Sequence, residues 1–327
     1  MAYAPAGQLT TSAGLTHFPA AWYSRNALDQ LMQVFRFPSA TDKSELPRKQ
    51  GKTVQWFRYT LLAANTTPSA EGVIGTSVPQ STTTVSATIS EYSDFTSGST
   101  LLVETDISQT ETEHAKNLGY RAGLTNDTVA RTEFDSAVAT VGVNTLGASA
   151  TAQDGRRAVA DLRAINVLPM DDGNFIGILH PYILYDIKAD NTAGGFMDVL
   201  KYANPGSLVR GGQGMLPGEE GKIDGIRLVT STNVGTTGAA PNVQYYWYVV
   251  GRGAVGSVPL AGSGPSAVVD PTKQNFNVAV VRGGKPSIYD PEGKIGFIAS
   301  YRFVQVYKIL DSTNYRYKII KCDASLV

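Results

Sequence analysis

Two short stretches decide the architecture: Thr53-Val-Gln-Trp-Phe-Arg-Tyr-Thr-Leu-Leu62 and Val85-Ser-Ala-Thr-Ile-Ser90. The first is rich in aromatic and β-branched residues. In the second, Val85, Ala87 and Ile89 alternate with Ser86, Thr88 and Ser90, the pattern of a half-buried strand. The segment between them, Ala63 to Ser81, carries Pro68, Gly72, Gly75 and Pro79 and almost no large apolar side chain. Connections that long are unusual within a domain and tend to be functional or disordered. A ten-residue strand extends about 33 Å. The unit therefore reads as a hairpin projecting from the body, with an ordinary surface loop as the alternative.

Working outward, Ser108 to Ala139 has helical periodicity. Ser108 and Glu111 have capping-box spacing. Ala115, Leu118, Ala122 and Val129 share one face, while Glu111, Glu113, Lys116, Arg121 and Asp127 are expected elsewhere. Some 30 helical residues span about 45 Å. Gly119 and Gly123 mark a bend or a close neighbour, since glycine weakens a helix by about 1 kcal/mol. A rod with so thin a stripe is expected to lie across a sheet on one side only.

Upstream, residues 1–19 read as a loose arm. Leu28, Leu31, Met32 and Phe35 form a helical stripe that Pro38 ends, and 39–50 is a linker. Downstream, 142–152 is a small-residue spacer. Asp154 starts a helix with Ala158, Leu162 and Ile165 as its stripe. Phe175–Leu179 is a short apolar strand, and His180-Pro181 opens a helix carrying Tyr182, Leu184, Tyr185 and Ile187. A further helix is expected at 192–203. From Gly221 the chain is mainly β, with strands near 223–230, 243–251, 275–281, 296–308 and 315–321. The fold class is α+β. Strands from 53–107 and from the C-terminus are expected to share a sheet beneath the long helix, with 142–290 as a second domain.

Of the 327 residues, 42% are hydrophobic and only 17% charged, against about 25% charged in typical domains. Either partners cover much of the surface, or Ser and Thr dress it. The 28 basic and 28 acidic residues cancel. Phosphate-gripping proteins usually show a basic excess, so any nucleic-acid contact is local or weak. Cys322 is the only cysteine, which excludes an intrachain disulfide and a cysteine-based metal site. The N-terminus lacks signal-peptide character, and no apolar run approaches the roughly 20 residues of a membrane span. A soluble protein of a reducing cytoplasm is expected.

Several motifs fail their context. Gly251-Arg-Gly253-Ala-Val-Gly256 matches a dinucleotide fingerprint, but Ser257-Val-Pro259 is poor helix material, so a glycine-rich turn is the better reading. Gly51-Lys-Thr53 resembles a P-loop end, yet Leu46 replaces the required glycine and a strand follows. His17, His114 and His180 lack metal-pair spacing. His180 suits capping or packing. No nucleophile elbow is present. Asp171-Asp172-Gly173 reads as a turn. Tyr245-Tyr246-Trp247-Tyr248, on a strand, points two rings each way and suits packing better than base stacking.

In its order of elements the chain resembles the major capsid proteins of tailed bacteriophages with the HK97-type fold, above all coat proteins of short-tailed phages and related prophages. The residues carrying the likeness are Ala20-Ala-Trp-Tyr-Ser24, Lys49-Gln-Gly-Lys-Thr-Val-Gln55, Thr67-Pro-Ser-Ala-Glu-Gly-Val73, Phe175-Ile-Gly-Ile-Leu-His-Pro-Tyr-Ile-Leu-Tyr-Asp186, Lys201-Tyr-Ala-Asn204 and Gly221-Lys-Ile-Asp-Gly-Ile-Arg227. The resemblance implies an N-terminal arm with a short helix (1–50), an extended loop (51–92), a peripheral domain with a spine helix (93–141 and 291–327) and an axial domain (142–290) with a β-rich insertion at about 231–290. It implies a structural, non-enzymatic subunit without catalytic, cofactor or metal residues. It would self-assemble as hexamers and pentamers into a virion shell around double-stranded DNA, in the host bacterial cytoplasm and away from membranes. The implied partners are a separate scaffolding protein, a portal and a decoration protein, with weak DNA contact. Alternatives are an encapsulin-like compartment shell, a tail or decoration protein, and an enzyme with paired carboxylates.

Overall fold

A computed structural model describes residues 36–47, 49–69, 71–75, 77–105, 110–170, 173–190, 219–238, 243–260, 277–286 and 290–323. The expected N-terminal arm, the stripe from Leu28 to Phe35, the Ser108 end of the capping box and the helix at 192–203 lie outside them.

A 3-10 turn at Phe37–Ala40 precedes β1 (Asp42–Lys43). Next come β2 (Thr53–Tyr59) and β3 (Thr82–Thr88), which pair antiparallel as a two-stranded sheet. β4 (Ser90–Ser99) runs into a short helix, Thr100–Thr105, and the long helix covers Thr110–Asp135. The sequence predicted a helix to Ala139. It breaks instead at Ser136, whose hydroxyl bonds the Glu133 carbonyl at 2.7 Å and competes with the helical ladder. One further turn follows at Val138–Val141.

β5 (Gly142–Ser149) stands where a spacer was expected. Its weak strand propensity is overridden by parallel pairing with the C-terminal strand. After the helix Ala152–Ala164 come β6 (Phe175–Leu179), the helix Pro181–Ala189, β7 (Glu219–Ile223), β8 (Ile226–Thr230), β9 (Thr236–Thr237) and β10 (Gln244–Val250). β11 (Val255–Pro259), β12 (Asn277–Arg282), β13 (Ile295–Ile309) and β14 (Tyr317–Asp323) complete the chain.

Two larger sheets result. One has the order β5-β14-β10-β6-β8-β7, with β9 on β10; the other is β1-β11-β13-β12, with β4 on the opposite edge of β13. β4 and β13 thus share a sheet, as expected, whereas β2 and β3, expected in it too, pair with each other as a separate sheet. The sheets do not follow the expected boundary at 290, because β11 and β12 pair with β13 while β14 enters the other sheet. Partner choice between distant strands is set by burial of whole faces, which no local pattern specifies.

β10 shows how the cores are divided. Tyr246, Tyr248 and Val250 point into one cluster with Phe37, Phe134 and Tyr317. Trp247 and Val249 point into another with Leu162, Ile183 and Ile187 from the two shorter helices. Trp247 is fully buried, and Gly155 and Gly177 leave it room: a Cβ at Gly155 would sit 2.5 Å from its ring. The Ala152–Ala164 helix buries Ala158, Val159 and Leu162. Ile165, expected in that stripe, is exposed. Asn166 turns the chain left-handed at φ 56°, and the Val167 N–H returns to the Leu162 carbonyl before Ile165 reaches the core.

The long helix lies across the second sheet. Ala115, Leu118 and Ala122 pack on Val280, Ala299, Tyr301 and Phe303. Gly119 and Gly123 are buried on the same face, so small residues let the rod approach the strands. Its C-terminal half ties both sheets together. Asn126 Oδ1 accepts the Tyr307 hydroxyl at 2.9 Å and Glu133 Oε1 the Ile309 N–H at 3.0 Å. Asp135 accepts the Tyr248 hydroxyl at 2.5 Å, and the Phe134 carbonyl that of Tyr317 at 2.9 Å.

Candidate functional site

Of the residues weighed for chemistry, His17, Asp171 and Asp172 lie outside the described residues, and the histidines within them are used structurally. His180 caps its helix, accepting the Tyr182 N–H at 3.2 Å, and its ring stacks on Tyr245 at 4.4 Å. Burial pushes its pKa below the usual histidine value. His114 meets Thr96 Oγ1 at 2.9 Å and lies edge-on to Phe297. A shallow groove between β4 and the long helix is lined by Thr96, His114, Asn117, Leu118 and Arg121, and Arg121 is paired with Asp94 at 2.5 Å. Among the described residues, no group of three His, Cys, Asp or Glu side chains is placed to hold a metal. Nor is any helix among them long and apolar enough to cross a membrane. Gly51 (φ 88°) and Gly253 (φ 73°) sit in turns that lead into β2 and β11. Neither turn opens a helix, the element a nucleotide fingerprint requires.

The long helix carries a feature the sequence reading misplaced. Asp127, expected on the charged side, is fully buried. Its Oδ1 accepts the N–H groups of Arg36 (3.0 Å) and Phe37 (2.9 Å), and its Oδ2 the Asn233 amide (2.9 Å). Asn233 Oδ1 accepts Arg131 at 2.8 Å, and Arg36 Nε donates to the Thr230 carbonyl at 3.2 Å. Burial raises the Asp127 pKa above the ordinary carboxylate value, against the lowering pull of these hydrogen bonds and of the Arg36 charge. The carboxylate thus pins the chain at residue 36 to the middle of the rod. A lone acid within a run of helical charges carries no signal of such a partner.

Among the described residues, exposed large apolar side chains gather on the hairpin. Val54, Trp56 and Arg58 are half-buried toward the body; Gln55, Phe57 and Tyr59 face out. Of the β3 side chains only Ala87 is buried. The seven paired residues of each strand extend about 23 Å. Beyond them the chain from 60 to 81 forms neither helix nor strand among its described residues. Leu61 is 94% and Ile74 96% exposed, and Leu62, Val73 and Val78 are also bare. Apolar side chains gathered on a projection signal a contact surface more than scattered single ones do.

No protein-family model matches the chain, and no curated protein matches it. Solved structures do. The capsid of Ralstonia phage GP4 aligns with a TM-score of 0.67 at 11% identity, covering 90% of this chain and 92% of that one. The chain has the HK97-type capsid fold. The capsid of cyanophage Pam1 aligns at a TM-score of 0.60 and 12% identity, over 90% of this chain and 93% of that one. The acidic stable capsid of Helicobacter pylori bacteriophage KHP30 gives 0.60 and 12%, over 88% and 91%. On this fold the hairpin and the rod meet at one strand: β13 runs beneath the rod, and the turn after it receives Arg58 through Asp311.

Proposed function

We propose that this chain is the structural subunit of a phage head, a major capsid protein that self-assembles as hexamers and pentamers into an icosahedral shell around packaged double-stranded DNA. The bare apolar hairpin tip on an HK97-type fold carries this reading. On a lone subunit that surface is a liability; laid on a neighbour it becomes adhesion. Individual contacts near 1,600 Å² or less suffice, because closure of a shell makes each further contact effectively intramolecular. The subunit acts by geometry and not as an enzyme. β2–β3 is the extended loop and Thr110–Asp135 the spine helix. The sheet of β4 and β11–β13 forms the peripheral part, and the sheet around β10 the axial part. A separate scaffolding protein and a portal are proposed partners, with a decoration protein as a further one. Balanced charge leaves packaged DNA loosely held, and assembly takes place in the host bacterial cytoplasm.

Electron microscopy of the purified chain, alone and with a scaffold, tests the reading. Closed shells, or rings of five or six, are the expected products. A chain that stays monomeric under every such condition overturns it. Deleting Ala63 to Ser81 should leave a folded subunit that no longer closes shells; normal shells from that deletion would remove the hairpin from the mechanism.

A further inference from the structure

The glycine-rich segment Gly251–Gly256, which runs from the turn after β10 into β11, has a use unrelated to nucleotides. We propose that Gly256 and Asp311 form a two-point seat that parks the β2–β3 hairpin at a defined angle, making the hairpin a hinged arm with a reversible latch.

The first point is steric. Gly256 lies under the Trp56 ring, and a Cβ there would stand 3.0 Å from Trp56 Cζ2 and 2.9 Å from Leu310 Cδ2. A side chain at 256 would force the indole outward from this depth. The seat is braced from beneath. The Gly253 N–H donates to Asp42 Oδ2 at 2.5 Å, and β1 pairs with β11 at Asp42↔Gly256. The second point is electrostatic. Asp311 is 4% exposed. Its Oδ1 accepts the N–H groups of Thr313 (3.1 Å) and Asn314 (2.9 Å), which fixes the carboxylate. Its Oδ2 faces Arg58, with Arg316 farther off at 3.8 Å.

The hinge lies where the hairpin joins the body. Lys49 (φ 67°) and Gly51 (φ 88°) turn the incoming chain, and the Ile89 N–H closes the base on the Lys52 carbonyl at 2.9 Å. Trp56 and Arg58 sit on the body-facing side of β2, two residues apart, so seating one aligns the other. The Arg58 side chain is 35% and that of Asp311 5% exposed. When Arg58 leaves, the buried carboxylate keeps Arg316 and the two backbone N–H groups, so one ion pair and one ring contact make a latch that can open when a neighbour arrives.

The test uses the isolated subunit, so it is independent of whether shells form. Nitroxides at Thr84→Cys on the hairpin and Asn117→Cys on the long helix report their separation by electron double resonance; native Cys322 is buried. The otherwise wild-type chain should give one narrow distance distribution. Arg58→Gln should broaden it and shift it, as should Gly256→Ala, which lifts the indole without touching the hairpin. High salt should broaden the wild type and leave Arg58→Gln unchanged. Thermal unfolding confirms that each variant is folded, and Arg58, being partly exposed, is the safer one. An unaltered narrow distribution in folded Arg58→Gln overturns the latch, and one in folded Gly256→Ala overturns the seat. A broad distribution in the wild type overturns both.

Discussion

Asp127 is a buried acid whose folded-state pKa is raised, and this fixes the sign of its effect on stability. The folded chain holds the proton more tightly than the unfolded chain, whose carboxyl titrates near its ordinary value of about 3.9. Its contribution to stability is therefore fully present below that value and is lost as pH rises through the folded pKa. Asp127→Asn removes the dependence, so its melting temperature should gain on the wild type as pH rises; parallel curves would contradict the argument. Asp127→Leu is a different experiment. It strands the N–H groups of Arg36 and Phe37, each unsatisfied group costing about 1–3 kcal/mol, and a loss of about 2–4 kcal/mol is expected in denaturant titrations. Tyr248 is held similarly. Its hydroxyl donates to Asp135 and accepts the Gly235 N–H at 3.0 Å. Burial raises its pKa well above the usual tyrosine value, and the neighbouring Asp135 charge adds to the shift.

Among the elements, the hairpin separates stability from assembly most cleanly. Leu61→Asp and Ile74→Asp change bare side chains, so each should alter subunit stability by no more than about 0.5 kcal/mol while reducing shell yield in electron micrographs. The rod behaves in the opposite way. Phe134 is fully buried between both sheets, and Phe134→Ala should cost about 3–5 kcal/mol in the same titrations. Both elements were legible in sequence because each writes its period locally: alternation at Val85–Ile89, and small or apolar residues at helical spacing from Ala115. The strand at Gly142–Ser149 was not legible, since it exists through the partner it finds in β14. Nor was the role of Gly256. Its glycine-rich turn was visible, but the indole that rests on it lies two hundred residues away in the chain. Ile165 had the right spacing and the wrong helix end.

For the whole molecule, the balance of 28 basic and 28 acidic residues shapes how copies meet. In the proposed shell, subunits with no net charge approach without long-range repulsion, and apolar contact at the hairpin would supply the drive. Shell yield should therefore change little across salt concentrations that screen surface ion pairs, and should improve on moderate warming, as hydrophobic association does. Light scattering during assembly measures both; a steep fall in yield with salt would point to an electrostatic drive instead.

The strand β13 has a mechanical consequence. It is the longest strand among the described residues, running from Ile295 to Ile309, with β4 along one edge and β12 then β11 along the other. Antiparallel hydrogen bonds lie across the strand axis, so tension along β13 loads its rungs together in shear and does not peel them one by one. In the proposed shell, internal pressure stretching the wall along this strand meets a tie rod gripped on both sides. The subunit keeps its shape, and the give in a swelling container falls to the seams between copies.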